Sequence, residues 1–324
     1  HMSDSATRSE PEMLADMVDI NVDFVARSPY PAQRSEHGKG VADVRGTFRV
    51  IDDLSPPFRV GLFANPETYD ATIRFSNGAV QKDNKRDTHG FAVKVHDVPM
   101  DSAPKDDDGV PFQDFIMLDC PTFIMGSMSQ YVPFNRIFLD AKVSVIGKLR
   151  LGWYLLTHPQ MIRLVLRMAL NKPNAPLSTP YWSTTPYRFG EHVVKYKSVP
   201  ATPNLSHPRI IGPNGRRAAL KKQLSGGTGR FTFGIIMQNN AKTQPIEDPG
   251  IDWEKHGASF HPLAEICIPS DQEIAAPPEI EYALSYSPGH SAREHFPLGA
   301  INRARVAIYA AAKKARRAAY DKRQ

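Results

Sequence analysis

With 324 residues, the chain is long enough to bury a large core, as one domain or as two. Its mean hydropathy of -0.39 and the lack of an apolar run of bilayer-spanning length argue against a membrane-spanning protein. The net charge of +6 is modestly basic and is concentrated in 303–323, where nucleic acid, anionic lipid or a bound anion could meet it.

The N-terminal part begins with a polar, acidic stretch and a predicted helix. Residues 1–12 open with a His-Met pair typical of a cloning remnant, and we expect this stretch to be disordered, with neither a signal nor a transit peptide. The pattern over 13–26 predicts a short helix. A turn-rich segment, SPYPAQRSEHGKG, follows at 28–40.

Strand signals come next, separated by clusters of Gly, Asn, Asp and Pro. Alternating apolar and polar residues predict four strands, at 47–51, 69–75, 91–95 and 114–117. An acidic loop is expected at 101–109. Cys120 and Cys267 lie in apolar strand-like runs and lack metal-site spacing, so we expect buried thiols in a reducing, cytoplasmic compartment.

The middle of the chain has helical patterns. Within 134–171, the segments VSVIGKLRLGWYLLT and PQMIRLVLRMALN are strongly apolar, with Lys and Arg on the remaining face. Such helices usually pack on a core, and the alternative is a surface that docks on a membrane or a partner. Strands return at 192–197, 230–238 and 264–268, followed by a terminal helix, which together predict an α+β protein built on an antiparallel sheet or barrel.

The terminal helix carries a stripe of unusual chemistry. At about 100° per residue, Arg305, Tyr309 and Arg316 fall within roughly 40° of one another. A nearby cation favours the phenolate form of a tyrosine. A phenolate facing an apolar cavity would be a good axial ligand for ferric haem iron. Taken alone, the segment favours a basic amphipathic helix on the surface over a haem-ligand helix.

Three upstream segments carry a resemblance to a known family. They read RSEHGKG with Arg34 and His37, IRFS with Arg74 and Ser76, and RDTHGFA at 86–92. Together with the terminal Arg-x-x-x-Tyr of Arg305 and Tyr309, and an arginine seven residues later, this pattern resembles the catalases. It is most similar to the short catalase-related haem peroxidases, and the resemblance runs from about residue 34 to residue 316.

The resemblance implies a fold and a set of site residues. The fold would be an antiparallel β-barrel core with surrounding helices and a C-terminal haem-ligand helix, in one domain over 13–324. The implied catalytic residues are His37, Ser76 and Asp119. The implied residues around haem b (iron protoporphyrin IX) are Arg34, Arg74, Phe123, Tyr131, Arg305, Tyr309 and Arg316, with Tyr309 as the iron ligand.

The sequence also departs from the family pattern. Where the family has an asparagine that orients peroxide, this chain offers Leu118 or Asp119. An aspartate cannot supply the donor of an amide, which lowers the expectation of high catalase activity. Glu36 stands where a small or apolar residue is expected, and Gly289 where many relatives have Trp.

The resemblance implies a haem-dependent peroxidase that reduces hydrogen peroxide or organic hydroperoxides with a small-molecule electron donor and has at most weak catalase activity. The alternatives are an enzyme that rearranges fatty-acid hydroperoxides, like allene oxide synthase, and a haem-binding scaffold with little turnover. We expect a monomer or homodimer and no nucleic-acid partner, and peripheral membrane contact stays open. No Gly-x-Gly-x-x-Gly dinucleotide fingerprint is present.

Overall fold

The computed structural model describes residues 8–28, 37–159, 161, 162, 166, 170–201, 206–275 and 284–322. Arg34 and Glu36 lie outside the described residues, and so does most of the helix predicted at 159–171. The described helices are α1 (Glu10–Arg27), α2 (Met128–Val143), α3 (Val145–Thr157), α4 (Gly215–Ser225) and α5 (Ala300–Asp321). Among the described residues, no helix combines the length and the apolar character required to cross a membrane.

In the part of the chain that the structure describes, nine strands form one antiparallel sheet that closes on itself. They are β1 (Gly40–Val50), β2 (Thr68–Asn77), β3 (His89–His96), β4 (Phe112–Leu118), β5 (Tyr181–Trp182), β6 (Tyr187–Phe189), β7 (His192–Pro200), β8 (Gly229–Met237) and β9 (Phe260–Ile268). Their order is β5-β4-β3-β2-β1-β9-β8-β7-β6, and a further pairing of β5 with β7 closes eight of them into a barrel. The predicted antiparallel barrel with surrounding helices and a C-terminal helix is therefore confirmed.

Aromatic side chains fill the barrel. Phe48 on β1 stacks on Phe115 of β4 with ring centroids 5.9 Å apart, and meets Phe233 of β8 edge-on at 5.1 Å. All three rings are at most 1% exposed. Pairs of this kind add about 0.5–1.5 kcal/mol each beyond their buried area. The interior is thus a packed core, and a ligand site has to lie outside it.

A second apolar cluster joins three helices outside the barrel. Met17 and Phe24 of α1 pack with Phe134 of α2 and with Ile301 and Ile308 of α5. Burying a large apolar side chain stabilises the fold by roughly 1.5–3 kcal/mol. This cluster fixes α5, the helix that carries the predicted tyrosine ligand.

Some sequence-based expectations need correction. Residues 10–12 are the first turn of α1 and are not disordered, because Ser9 and Glu12 form a capping box at the helix start. Cys120 and Cys267 are half-buried thiols, less enclosed than expected. Burial, and then Glu265 beside it, raises the pKa of Cys267 to about 11. The sequence interpretation also left out β5, β6 and α4.

Candidate active site

A hydrogen-bonded His–Ser pair lies at the start of the barrel. His37 precedes β1 and adopts a left-handed backbone conformation with φ of 52°. Its backbone N–H donates to the carbonyl of Gly78 at 3.0 Å. Its Nδ1 lies 3.1 Å from Oγ of Ser76, near the end of β2. The structure therefore brings together two of the three residues predicted to be catalytic.

The neighbouring strand leaves space for this pair because it carries a glycine there. Gly90 on β3 is directly paired with Ser76 in the sheet register. A Cβ added at Gly90 would stand 2.4 Å from Oγ of Ser76 and 2.7 Å from Nδ1 of His37. The close approach of the imidazole to β3 thus requires glycine at this position.

The imidazole of His37 is neutral over a wide pH range. Burial, and then the positive charges of Arg74, Arg305 and Lys142, together lower its pKa to about 3. As a whole residue His37 is half-buried, because it forms part of a cavity wall. A neutral imidazole can accept a proton and return it, which is what general acid–base chemistry needs.

That wall belongs to a cavity with about 1080 Å³ of space free of protein atoms. His37, Ser76 and Gly90 line it from the barrel, and Tyr309 and Arg316 line it from α5. Most of the lining is apolar, with contributions from Phe91, Ala92, Ile116, Met117, Val306 and Ile308. The site has the mixture of apolar wall and few polar groups that is typical of ligand pockets.

The charged groups of the cavity are of one sign. Arg74, Lys313 and Arg316 line it, and no carboxylate is among the lining residues that the structure describes. Arg74 is 5% exposed, and its Nη1 lies 3.4 Å from the carboxylate of Asp43, its cross-strand neighbour on β1. A cationic, largely apolar cavity fits an apolar ligand that carries carboxylates.

The three residues predicted to share one side of α5 do not all face the cavity. Tyr309 and Arg316 line the cavity, whereas Arg305 is 3% exposed and is not among its described lining residues. The guanidinium of Arg305 donates to Oγ1 of Thr185 at 2.8 Å and to Oδ1 of Asn302 at 3.1 Å. Arg305 is thereby anchored one helical turn before Tyr309.

Hydrogen bonds at the start of α5 set the position of this helix. Nδ2 of Asn302 donates to the carbonyl of Pro186 at 2.8 Å, and the backbone N–H of Leu298 donates to the same carbonyl at 3.0 Å. Arg303 makes a two-pronged ion pair with Glu10 of α1, its Nη2 lying 2.9 Å from the carboxylate. The helix with Tyr309 is therefore tied both to the barrel and to α1.

A second, aromatic cavity meets the first at His37. It holds about 620 Å³ of free space, and His37 lines both cavities. Phe123 and Tyr131, both predicted at the haem site, line this second cavity and contact each other edge-on at 5.4 Å. Leu118 lines it as well. The predicted aromatic residues are thus brought beside His37.

The structure separates the two candidates for the family asparagine. Leu118 faces the aromatic cavity, whereas Asp119 is not among the described lining residues of either cavity. The carboxylate of Asp119 accepts hydrogen bonds from Nδ1 of His89 at 2.5 Å and from Nδ2 of Asn171 at 2.8 Å. Burial raises its pKa, but these donors outweigh burial and hold the pKa of Asp119 below its usual value.

One charged group at the cavity edge was not predicted from the sequence. Asp114 is fully buried and accepts from Nζ of Lys94 at 2.6 Å, from Nδ1 of His290 at 2.8 Å and from the backbone N–H of Ser287 at 3.1 Å. His290 and Ser287 line the main cavity. Nothing in the sequence paired the segment at 286–290 with Asp114.

Solved catalase structures are similar to this chain. Catalase A from Saccharomyces cerevisiae matches with a TM-score of 0.66 and 18% sequence identity, over 88% of this chain and 61% of that enzyme. The chain has a catalase-like fold. A fungal catalase matches with a TM-score of 0.65 and 17% identity, over 88% of this chain and 59% of that one. For a bacterial catalase the values are 0.64 and 15%, over 88% and 57%.

The catalase-like fold is thus present in a chain that spans about three fifths of the length of these catalases. No protein-family model and no curated protein matches the sequence. The fold expected from the sequence is confirmed, whereas its assignment to the short catalase-related peroxidases stays a prediction.

Proposed function

We propose that the protein is a haem-dependent peroxidase, which reduces hydrogen peroxide or organic hydroperoxides with a small-molecule electron donor. One observation carries this proposal: a single cavity is lined both by the His37–Ser76 pair and by Tyr309. An acid/base group and an oxygen ligand in one cavity are what peroxide chemistry at a haem requires.

The residues present fit haem b as the cofactor. Tyr309 would supply the iron ligand, and Arg74, Lys313 and Arg316 would pair with the propionates. Arg34 would join them, as the family resemblance implies. Arg305, fixed one turn before Tyr309, would favour the phenolate. Haem, when bound, supplies the redox chemistry, and the protein supplies binding, orientation and electrostatics.

The proposed role of His37 is to move one proton. Because Nδ1 is hydrogen-bonded to Ser76, Nε2 is the atom left to exchange a proton with the substrate. Nε2 would accept the proton of one peroxide oxygen and return it to the other, so that His37 ends neutral as it began. Asp119 would act at a distance, by holding His89 and Asn171, since it does not line the cavity.

The test is an absorption spectrum of the purified protein titrated with haemin, before and after hydrogen peroxide is added. We expect a stoichiometric Soret band with high-spin ferric features that shifts rapidly with peroxide. Without a stoichiometric Soret band, the proposed haem site is wrong. A bound haem that reacts no faster than free haemin would instead identify a haem-binding scaffold with little turnover.

A second candidate is the rearrangement of fatty-acid hydroperoxides. The aromatic cavity beside His37, with Phe134 and Phe138 among its lining residues, favours it because an acyl chain needs an apolar site. The two functions differ in their need for a donor. With a fatty-acid hydroperoxide, a peroxidase takes two electrons from its donor in each turnover and yields an alcohol and water. A rearrangement proceeds without a donor, so product spectra with and without donor separate the two functions.

A further inference from the structure

Helix α3 exposes an apolar face to solvent. Five of its large apolar side chains are between 62% and 75% exposed. They are Val145, Ile146, Leu149, Trp153 and Leu156. Monomeric soluble proteins rarely leave a contiguous apolar patch of this kind uncovered unless it serves in an interaction.

The exposed residues share one side of the helix. At about 100° per residue they fall within an arc of roughly 100°. A different side of α3 packs on the helical cluster outside the barrel, through Leu151, Tyr154 and Leu155. The helix therefore has two apolar sides, and the core accounts for only one of them.

Exposed apolar side chains continue along the chain after α3. Ile162, Leu166 and Leu170 are helical residues spaced four apart, and they are 36%, 48% and 59% exposed. Residues four apart lie on the same side of a helix. A second segment thus repeats the pattern of α3.

Positive charge borders the exposed face. Lys148 and Arg150 are both exposed, and on the helical wheel they lie on either edge of the apolar arc. Residues 141–190 contain no Asp or Glu. The same stretch has six Lys or Arg residues up to position 172: Lys142, Lys148, Arg150, Arg163, Arg167 and Lys172.

We propose that the apolar side of α3 docks on the surface of an anionic lipid bilayer. Below, the docking face means Val145, Ile146, Leu149, Trp153 and Leu156 with the flanking Lys148 and Arg150. An interfacial helix buries Leu and Trp side chains at the boundary of headgroups and acyl chains, while Lys and Arg beside them reach the headgroups. The proposal concerns a surface outside the haem site and does not depend on the proposed function.

Charge favours lipid over a second copy of this chain. Two docking faces packed together would bring Lys148 and Arg150 of one copy near the same residues of the other. Asp140 lies 3.5 Å from Arg150, but this carboxylate also pairs with Arg27 at 2.9 Å, and residues 141–190 supply no further one. An anionic bilayer supplies that neutralising charge to basic residues near its surface.

The experiment is co-sedimentation of the full chain with vesicles of phosphatidylcholine mixed with phosphatidylserine, and with phosphatidylcholine alone. We expect binding to the mixed vesicles that weakens as salt is raised. Leu149→Ser and Trp153→Ser should each lower the partition coefficient by on the order of tenfold. Ile211→Ser is the matched control, because Ile211 is 77% exposed and lies outside the docking face.

Charge reversal tests the electrostatic part of the proposal, in which Lys148 and Arg150 contact anionic headgroups. The double variant Lys148→Glu with Arg150→Glu should lose binding to the mixed vesicles. The control is the double variant Lys82→Glu with Lys85→Glu, at two exposed positions away from the docking face. It makes the same change in net charge and should keep most of the binding to mixed vesicles. Trp153 provides a direct readout, because burial of its exposed ring in lipid should shift its fluorescence emission to shorter wavelength.

Two results would overturn the proposal. One is an absence of binding to the mixed vesicles, or an equal loss of binding in the docking-face and control variants. The other is a concentration-dependent dimer in analytical ultracentrifugation that Leu149→Ser dissociates while vesicle binding is absent. That result would assign the face to a second copy of the chain.

Discussion

Gly90 lies so close to the imidazole of His37 that a side chain at position 90 would collide with the ring. A Cβ at Gly90 would stand 2.7 Å from Nδ1 of His37, and 2.4 Å from Oγ of Ser76, its hydrogen-bond partner. Side chains do not tolerate such distances, so one of the two would have to move. The position of the candidate base is therefore set by the strand beside it as well as by its own loop.

The first prediction is that Gly90→Ala disables the acid/base pair without removing the cofactor site. Displacing His37 should slow the reaction of the haem-loaded protein with peroxide by about 10²–10⁴-fold, the usual contribution of a positioned acid/base group. Stopped-flow absorption measures this rate. The Soret band should persist, because Tyr309 and the cavity cations are untouched.

The control for Gly90→Ala is Gly152→Ala. A Cβ at Gly152, an exposed position in α3, would meet no atom within 4 Å. This variant should keep the full peroxide rate and gain about 1 kcal/mol of stability from helix propensity. Equal rates in the two variants would show that the contact between Gly90 and His37 has no role in the reaction.

The second prediction concerns pH. Because burial lowers the pKa of His37 to about 3, the imidazole should stay neutral between about pH 5 and pH 8. The rate constant of the haem-loaded protein with peroxide should therefore be the same across this range. Stopped-flow spectra measure it. The rate should fall only as pH drops toward the pKa. His37→Ala should keep haem, lose the rapid reaction and regain part of it when imidazole is added.

Ser76→Ala distinguishes positioning from proton transfer. Loss of the hydrogen bond at Nδ1 should slow the peroxide reaction roughly tenfold, since it costs about 0.5–1.5 kcal/mol and leaves the base in place.

A decline of the wild-type rate centred near pH 6.5 would contradict the neutral, buried imidazole. Full activity of His37→Ala would remove His37 from the proposed role.

Much of the fold could be predicted from local pattern. The strand predicted at 230–238 is Gly229–Met237, because alternation survives along a strand with one face toward the barrel core. By contrast, β5 and β6 have two and three residues, too few to display a period. Helix α4 was missed because it is weakly amphipathic, and its Arg216 is fully buried where it donates to the carbonyl of Ser76.

The candidate site shows where such prediction stops. Helical spacing groups Arg305 with Tyr309, but the long Arg305 side chain reaches Thr185, and its conformation cannot be read from spacing. The alternatives Leu118 and Asp119 could not be separated, because β4 ends at Leu118 and strand alternation no longer applies beyond it. Pairs such as Asp114 and His290 are distant in the chain and meet only through tertiary structure.

The third prediction concerns the proposed iron ligand. Tyr309→Phe keeps the aromatic ring in the cavity wall and removes only its oxygen. Haem affinity should fall by more than the ~10–100-fold that is typical when an outer-shell partner of a metal is lost. Haemin titration followed at the Soret band gives the affinity.

Tyr320→Phe is the matched control, because Tyr320 lies on the same helix and is not among the described lining residues of the main cavity. It should bind haemin like the wild type. If Tyr309→Phe left both the affinity and the spectrum unchanged, Tyr309 would not be the ligand, whatever the activity of the protein.

The fourth prediction concerns stability and pH, and rests on His295. This residue is fully buried, its Nε2 accepts from the backbone N–H of Leu62 at 3.1 Å, and burial lowers its pKa to about 4. In the unfolded chain its pKa is about 6.5. As pH falls below 6.5, the imidazole takes up a proton in the unfolded chain but stays neutral in the folded protein. The free energy of unfolding therefore declines toward pH 4 by on the order of 3 kcal/mol.

Urea unfolding at pH 7.5 and at pH 4.5 measures this loss. In His295→Gln, the side-chain amide can still accept from Leu62 and donate to Tyr196, whose hydroxyl lies 3.3 Å from Nδ1 of the native imidazole. The variant should be less stable than the wild type at pH 7.5, because ring packing against Phe63 is lost, yet should lose less stability between the two pH values. His192→Gln, at an exposed position, should leave the pH dependence as it is. An unchanged difference in His295→Gln would mean that other groups control the acid sensitivity of the fold.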